Sequence, residues 1–398
     1  MIAPLPSTPR VSVVHDWLLG MRGGERCLEG ILELFADPRV HTLFHEPGSV
    51  SSSIESHPIR SSPLSRFAVT RRRHRLFLPL FPWAVNQLGT EEADAIVSLS
   101  HCAAKAVPKK PGAVHCCYCF TPARYLWDLS DTYLDNKRSS WVERVGSSAW
   151  FDDLRAWDRA TASGVDHFIA ISNAVAERIE RIYGRSSTVI YPPVEADRFR
   201  RAPQKQITDD YLIVSALVEY KGVDLAIEAF ARDPSRRLKI IGSGPMESRW
   251  RAKSPPNVTW LGRLDDAAVA REMARCRAFI LPCEEDFGIT PLEAMASGRP
   301  VVAFGRAGAL ETVVGPGTSR PATGVFFDEQ TPDSLLAAFD RLERDLDRFD
   351  PDDLRARALE FDRPIFIERL RRFFAEKGLP VLAGDAPPRS KPSKTVPA

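Results

Sequence analysis

The stretch from Glu285 to Pro300, EDFGITPLEAMASGRP, constrains this chain more than any other. It lies between two short apolar runs, Ala278-Phe279-Ile280-Leu281-Pro282 and Val301-Val302-Ala303-Phe304, which have the length and composition of buried strands. The spacing between them predicts a short helix. Thr290 is a candidate N-cap, Pro291 suits the first helical position, and Glu293 completes a capping box three residues after Thr290. Gly298 and Pro300 stop the helix. A loop that leaves the carboxyl end of a strand and feeds a helix N-terminus is where parallel α/β sheets bind phosphorylated ligands. Free N–H groups and the helix dipole both favour anions there. Glu285 and Glu293 frame the loop. Carboxylates repel phosphate, so these two should face uncharged hydroxyls. Position alone also allows plainer readings: Glu293 as a capping residue only, and Glu285 as part of a solvated cluster, Glu284-Glu285-Asp286.

The 398 residues suffice for two domains, and 44% apolar content marks a core-forming chain. A net charge of +2 gives no global electrostatic case for nucleic acid as a partner. No apolar run reaches the ~18 residues a membrane helix needs. The start, MIAPLPSTPR, lacks the pattern of an export signal, so a cytoplasmic chain with reduced thiols is expected. Cys116-Cys117-Tyr118-Cys119 resembles a metal cluster in outline, but it sits in a strand-like apolar run with no second ligand pair. Asp345-Leu346-Asp347 lies in a charge-rich helical run and reads as solvent face, so no metal is expected.

In the N-terminal half, Val11–Val14 reads as a strand ending in His15-Asp16-Trp17. A glycine loop, Gly20-Met21-Arg22-Gly23-Gly24-Glu25, then enters a helix. This is the first unit of a Rossmann-like domain, without the G-x-G-x-x-G of dinucleotide enzymes. Gly23 and Gly24 suit close approach of backbone to a ligand. The segment Arg71 to Trp83 sets arginines against large apolar residues, as in segments that lie on anionic membranes; a partly buried surface loop is the plainer reading. Further strands, Ala95–Leu99 and Ala113–Cys119, end at Ser100-His101 and at Phe120-Thr121-Pro122-Ala123-Arg124-Tyr125-Leu126-Trp127-Asp128. Asp16, His101, Arg124 and Trp127 thereby become candidates at strand ends, where side chains reach a ligand crevice. Phe168–Ile171, the helix from Ala174 and Thr188–Val194 close this half, and the double proline Pro192-Pro193 reads as a hinge.

Tyr211–Ser215 starts a second α/β domain, with the loop Ala216 to Gly222 before a helix from Val223 to Phe230. Lys221 there reads either as an anion ligand or as a solvated lysine at a helix start. Gly242-Ser243-Gly244 is a weak G-x-G that also suits a plain turn. After the strand Asn257–Gly262 come Arg263-Leu264-Asp265-Asp266, where an acid could accept hydrogen bonds from guanine or simply suit a helix N-terminus. Phe304 to Val313 is a second glycine loop and a second candidate anion site.

Taken together, E-x7-E with Phe287-Gly288 after the first acid and Glu293-Ala294-Met295-Ala296 at the second resembles the signature of retaining glycosyltransferases of family 4. The resemblance spans roughly residues 10–375. Ser98 to Lys105 and Thr121 to Asp128 are similar to a branch containing mannosyltransferases of bacterial surface-polysaccharide assembly. It implies an α/β GT-B fold: two Rossmann-like domains across a cleft, residues 1–195 on the acceptor side and 196–363 binding the nucleotide sugar. A helix at 364–383 would return to the N-terminal domain, and 384–398 would form a disordered tail. It implies a metal-independent hexosyltransferase without cofactor, using GDP-mannose first and UDP-sugars second. The acceptor would be a saccharide or polyprenyl-linked saccharide, met at the inner face of the plasma membrane. Donor contacts would come from Gly23, Gly24, Lys221, Leu264, Asp266, Glu285, Phe287, Gly288, Ile289, Thr290 and Glu293. Glu285, Lys221 and His101 would serve the chemistry, and Asp16, Arg124 and Trp127 the acceptor. Retention implies same-face attack with the leaving phosphate oxygen taking the acceptor proton. Two positions depart from the family's pattern: Ala216 stands where an arginine is usual, and Phe120 where a histidine commonly precedes Thr-Pro.

Overall fold

The computed structural model describes residues 9–127 and 148–383. The expected disordered tail lies outside the described residues. Two compact units are present. One contains the chain up to Ile171, Val175–Ile190 and the described residues from Ile367 on; the other contains Ser172–Ala174 and Tyr191–Phe366. The second unit therefore begins just ahead of the double proline.

The first unit is built on seven parallel strands in the order β3–β2–β1–β4–β5–β6–β7. These are β1 (Val11–Leu18), β2 (Arg39–His45), β3 (Ile59–Ser61), β4 (Ala95–Ser100), β5 (Val114–Cys119), β6 (His167–Ala170) and β7 (Ser187–Val189). Strands covered on both faces lose the alternating pattern and become apolar throughout. β4 is buried at every position, and Cys116, Cys117 and Cys119 of β5 are packing residues of this kind. Within the described residues of this unit, the segment after Phe366 packs Phe374 against Phe35 with ring centroids 5.9 Å apart.

Two expectations are corrected here. β1 does not stop at Val14 but runs to Leu18, so His15, Asp16 and Trp17 are strand residues. β2 and β3 were not anticipated. β2 holds a buried histidine, His41, made tolerable by hydrogen bonds with the Ser12 hydroxyl at 3.0 Å and the Leu88 carbonyl at 2.9 Å.

The second unit has six parallel strands in the order β10–β9–β8–β11–β12–β13. They are β8 (Asp210–Val214), β9 (Arg237–Ile241), β10 (Val258–Gly262), β11 (Phe279–Leu281), β12 (Val301–Phe304) and β13 (Gly324–Phe327). Both sheets reverse their strand order once. In the first unit the reversal falls between β1 and β4, and in the second between β8 and β11. The crevice outside the carboxyl ends of two such strands is where open α/β sheets place ligands. Asp16 and His101 lie at the first reversal; the loops bearing Lys221 and Glu285 leave the second.

Candidate functional site

In the second unit, two loops build the site. The loop after β8 turns through a short helical segment, Glu219–Lys221, into Gly222, whose backbone is left-handed (φ +63°). A Cβ at Gly222 would lie 2.9 Å from the Pro282 carbonyl, so a side chain is excluded by both conformation and space. This loop is stapled by the Gly242-Ser243-Gly244 segment. Leu217 N–H donates to the Ser243 carbonyl and Met246 N–H to the Leu217 carbonyl, each at 3.1 Å. Cβ atoms at Gly242 and Gly244 would fall 1.8 Å from Ser215 O and 2.3 Å from Leu217 O. The G-x-G is thus a close-packing device that fixes the Lys221 loop.

The loop after β11 carries Glu285. Lys221 Nζ forms an ion pair with Glu285 Oε1. Burial alone would lower the Lys221 pKa, but the Glu285 carboxylate more than offsets it, so the ammonium is held charged. The Glu285 carbonyl accepts from Gly308 N–H at 3.0 Å. A Cβ on Gly308 would come within 2.3 Å of Phe287 Cα. Phe287 is buried between Tyr191 (centroids 5.4 Å, stacked) and Phe361 (5.6 Å). Its side chain is therefore an anchor of the loop rather than a ligand contact.

The helix that follows runs Ile289–Ala296, and its N-cap is Gly288 in a left-handed conformation (φ +91°) without a side-chain cap. This corrects the expected capping box: Thr290 is inside the first turn. With Pro291 lacking an N–H, the donors this end leaves without intrahelical partners are those of Gly288, Ile289 and Thr290. Glu293 lies beyond the first turn, four residues after Ile289 and on the same helix face.

The second glycine loop keeps most of its N–H donors within the backbone. The N–H groups of Arg306, Gly308, Ala309, Leu310 and Glu311 are all bonded to backbone carbonyls. Asp265 and Asp266 adopt the plainer of their two readings. Asp265 caps the Asp266–Arg275 helix, accepting from Ala268 N–H at 2.7 Å, and Asp266 pairs with Arg198. Leu264, just before them, is half-buried, and Ala216 is exposed.

In the first unit, Asp16 organises the reversal point. Its carboxylate is fully buried and accepts from the backbone N–H groups of His101 (2.7 Å), Cys102 (2.9 Å), Ala103 (2.6 Å) and Ala104 (2.7 Å). His101 Nδ1 lies 3.0 Å from Asp16 Oδ2, with about a third of the imidazole exposed (31%). Burial would raise the Asp16 pKa, but His101 and the backbone donors bring it down to about 2. Asp16 was expected to meet the acceptor; enclosed as it is, it instead fixes the loop after β4 and orients His101. Trp17 packs between His74 (centroids 4.7 Å) and His101 (4.3 Å).

Gly24 lies in the first turn of the Gly23–Leu32 helix, where a Cβ would sit 3.2 Å from His15 Nε2 and 3.3 Å from Phe120 Cζ. Phe120 fills the place expected for a histidine and lies 6.2 Å, ring to ring, from both His15 and His101. Arg124 opens a short helix, Arg124–Trp127. Trp127 is committed to packing: its Nε1 donates to Asp158 Oδ2 at 2.8 Å, and the Arg159 guanidinium lies 5.0 Å over its ring. Asp158 is the centre of a buried network that sequence reasoning missed. It also accepts from Tyr183 Oη (2.9 Å) and pairs with Lys105 Nζ (2.9 Å).

The basic segment is not one amphipathic helix. Ala68–Arg72 is helical, the backbone breaks at Arg73, and a tighter helix runs His74–Leu80 with Pro79 inside it. Phe77, Leu78 and Phe81 pack on the core, while Leu80 and Trp83 remain exposed.

Two Rossmann-like units, each a parallel sheet with one strand-order reversal, are the elements of the GT-B fold. Residues 196–360 match the family described as glycosyl transferases group 1. The chain is similar to a GDP-mannose-dependent monoacylated alpha-(1-6)-phosphatidylinositol monomannoside mannosyltransferase of Corynebacterium glutamicum, with 32% identity over 44% of this chain and 52% of the relative. It is also similar to the GDP-mannose-dependent alpha-(1-6)-phosphatidylinositol monomannoside mannosyltransferase of Mycobacterium tuberculosis, at 28% identity over 48% of this chain and 56% of the relative. The chain spans about half the length of these curated relatives. The fold is shared with Anabaena HepE in complex with UDP (18% identity, 92% of this chain and 100% of that chain, TM-score 0.67). A sucrose-phosphate synthase from Thermosynechococcus elongatus also shares it (16% identity, 93% and 99%, TM-score 0.70).

Proposed function

We propose that this protein transfers a hexose from a nucleotide sugar to a saccharide or lipid-linked saccharide, with retention of anomeric configuration and without a divalent metal. The observation that carries the reading is the Lys221–Glu285 pair beside the helix N-terminus at Gly288, which has no side-chain cap. A charged ammonium and free N–H donors suit a leaving diphosphate, whose developing negative charge is what must be stabilised. The helix end adds about 0.3–1 kcal/mol at an exposed site. Glu285 would exchange its lysine partner for the hexose hydroxyls as the diphosphate takes Lys221. Glu293, on the Ile289 face, would hold the ribose. In the transfer step the C1–O bond to the β-phosphate breaks as the acceptor oxygen bonds to C1 on the same face. The acceptor proton passes to the departing phosphate oxygen. His101, held by Asp16, would contact the sugar or acceptor from the first unit.

GDP-mannose is the proposed donor, supported by the two mannosyltransferase relatives. A UDP-sugar is the second reading, favoured by the Asp266–Arg198 pair, which occupies the acid expected to read guanine. Surface-polysaccharide assembly at the inner membrane face is the proposed setting. No described helix is long and apolar enough to cross a membrane, and exposed Leu80 and Trp83 beside arginines suit peripheral contact. The test is release of free hexose from GDP-mannose, UDP-glucose and ADP-glucose, with and without EDTA. Turnover of one donor, unchanged by EDTA, supports the proposal. Binding without turnover of any donor or transfer to any saccharide would leave a nucleotide-sugar-binding protein instead.

A further inference from the structure

A cavity of about 440 Å³ opens in the first unit between the loop after β1 and the arginine-bearing segment. Arg22, Arg72 and Arg73 line it together with Trp17 and His74. These three arginines are exposed, and none has a carboxylate partner among the described residues. Their neighbour Arg71 shows the contrast, being tied to Glu46 and to the Ser65 carbonyl. The single acid on the cavity wall among the described residues, Glu25, is buried and accepts from the Arg22 N–H at 2.9 Å. Three guanidinium groups against one carboxylate leave an excess of positive charge around a concave surface. Such a surface concentrates anions, and guanidinium forks match the oxygens of phosphate in bidentate fashion.

The remaining walls narrow the ligand. Trp17, Leu19 and Leu76 supply apolar surface next to the arginines, so the anion is attached to an apolar or ring-bearing body. The chain that supplies Arg72 and Arg73 also exposes Phe67, Val69, Leu80 and Trp83. Trp17 closes one side of the cavity and touches His101 edge-on, so a group held there lies one ring's width from the Asp16–His101 pair.

We propose that this cavity is the site for a phosphate or diphosphate group on the acceptor, clamped by Arg22, Arg72 and Arg73 with its adjoining body on Trp17. That the ligand is an acceptor rests on the transfer reading above; that the cavity binds a phosphoryl group does not. The test is arginine footprinting of the full chain with phenylglyoxal, read by mass spectrometry, with GDP present throughout to fill the second unit. Inorganic pyrophosphate or farnesyl diphosphate is then added. Protection of Arg22, Arg72 and Arg73 by fivefold or more, with exposed Arg249 unchanged, is expected. Farnesyl diphosphate acting at a concentration at least tenfold lower than pyrophosphate assigns a lipid-linked acceptor; equal concentrations assign a water-soluble sugar phosphate. Equal modification of the three arginines with and without both ligands overturns the site. The combined variant Arg22→Gln, Arg72→Gln, Arg73→Gln should bind pyrophosphate at least tenfold more weakly with GDP present, while its GDP affinity stays at the wild-type value. An unaltered pyrophosphate affinity also overturns the site. If wild-type protein binds pyrophosphate through these arginines but no nucleotide or nucleotide sugar, the transfer reading fails and the phosphoryl site stands.

Discussion

Replacing Asp16 by asparagine changes one oxygen to an amide nitrogen and little else in shape. In the wild type, Oδ1 accepts from the N–H groups of Ala103 and Ala104, and Oδ2 from those of His101 and Cys102, with His101 Nδ1 beside it. An asparagine amide satisfies two of these donors and turns its own N–H groups toward the others. The His101 Nδ1 also loses its carboxylate partner. Removing one partner from a buried charged network costs roughly 3–5 kcal/mol. A loss of about 3 kcal/mol corresponds to roughly a hundredfold change in an opening equilibrium. Hydrogen exchange of the amides at residues 101–104 should therefore quicken by about 100-fold in Asp16→Asn, while amides of β12 keep their rates. The pH dependence follows with a definite sign. The folded pKa of Asp16 is depressed from 3.8 to about 2, so its stabilisation is fully present above pH 4 and lost as pH falls toward 2. A shift of this size is worth about 2 kcal/mol. Wild-type protection at these amides should fall by that amount between pH 4 and 2, and the variant should lack the dependence. Exchange within threefold of wild type would refute the claim that Asp16 holds this loop.

Other expectations follow from single contacts. Glu285→Gln should abolish most transfer yet bind nucleoside diphosphate at least as tightly as wild type, because Lys221 is released from its ion pair; weaker binding by calorimetry would count against the exchange of partners. Gly308→Ala places a Cβ 2.3 Å from Phe287 Cα, so denaturant melts should show a loss of about 3 kcal/mol or more in the second unit, together with lost nucleotide binding. Lys105→Met leaves Asp158 buried without its cation, and urea melts should show a loss of roughly 3–5 kcal/mol in the first unit, with nucleotide affinity unchanged.

Much of the second unit was legible because its strands are short unbroken apolar runs and its loops end at glycines that only glycine can fill. Gly222, Gly242, Gly244 and Gly308 each face a backbone atom closer than a Cβ allows. The helix at Ile289 was legible in place but not in its start, because Gly288 takes the left-handed cap and Thr290 falls within the turn. What the residues could not reveal were partners distant in sequence. β2 was hidden because His41 looks polar until Ser12 and Leu88 satisfy it. Asp16 looked like a ligand residue because nothing local shows that four amides from residues 101–104 converge on it. Trp127 and Lys105 likewise meet at Asp158, which lies more than thirty positions from Trp127.

The central claim is that Lys221 and the Gly288-capped helix end hold the diphosphate of a nucleotide sugar. Calorimetric titration of wild type and Lys221→Met with GDP-mannose, in the presence of EDTA, tests it most directly. Saturable binding to the wild type is expected, with affinity lower by about 10- to 100-fold in the variant, the loss of a charge-assisted contact of roughly 1.5–3 kcal/mol. Equal affinity in the two proteins would contradict it.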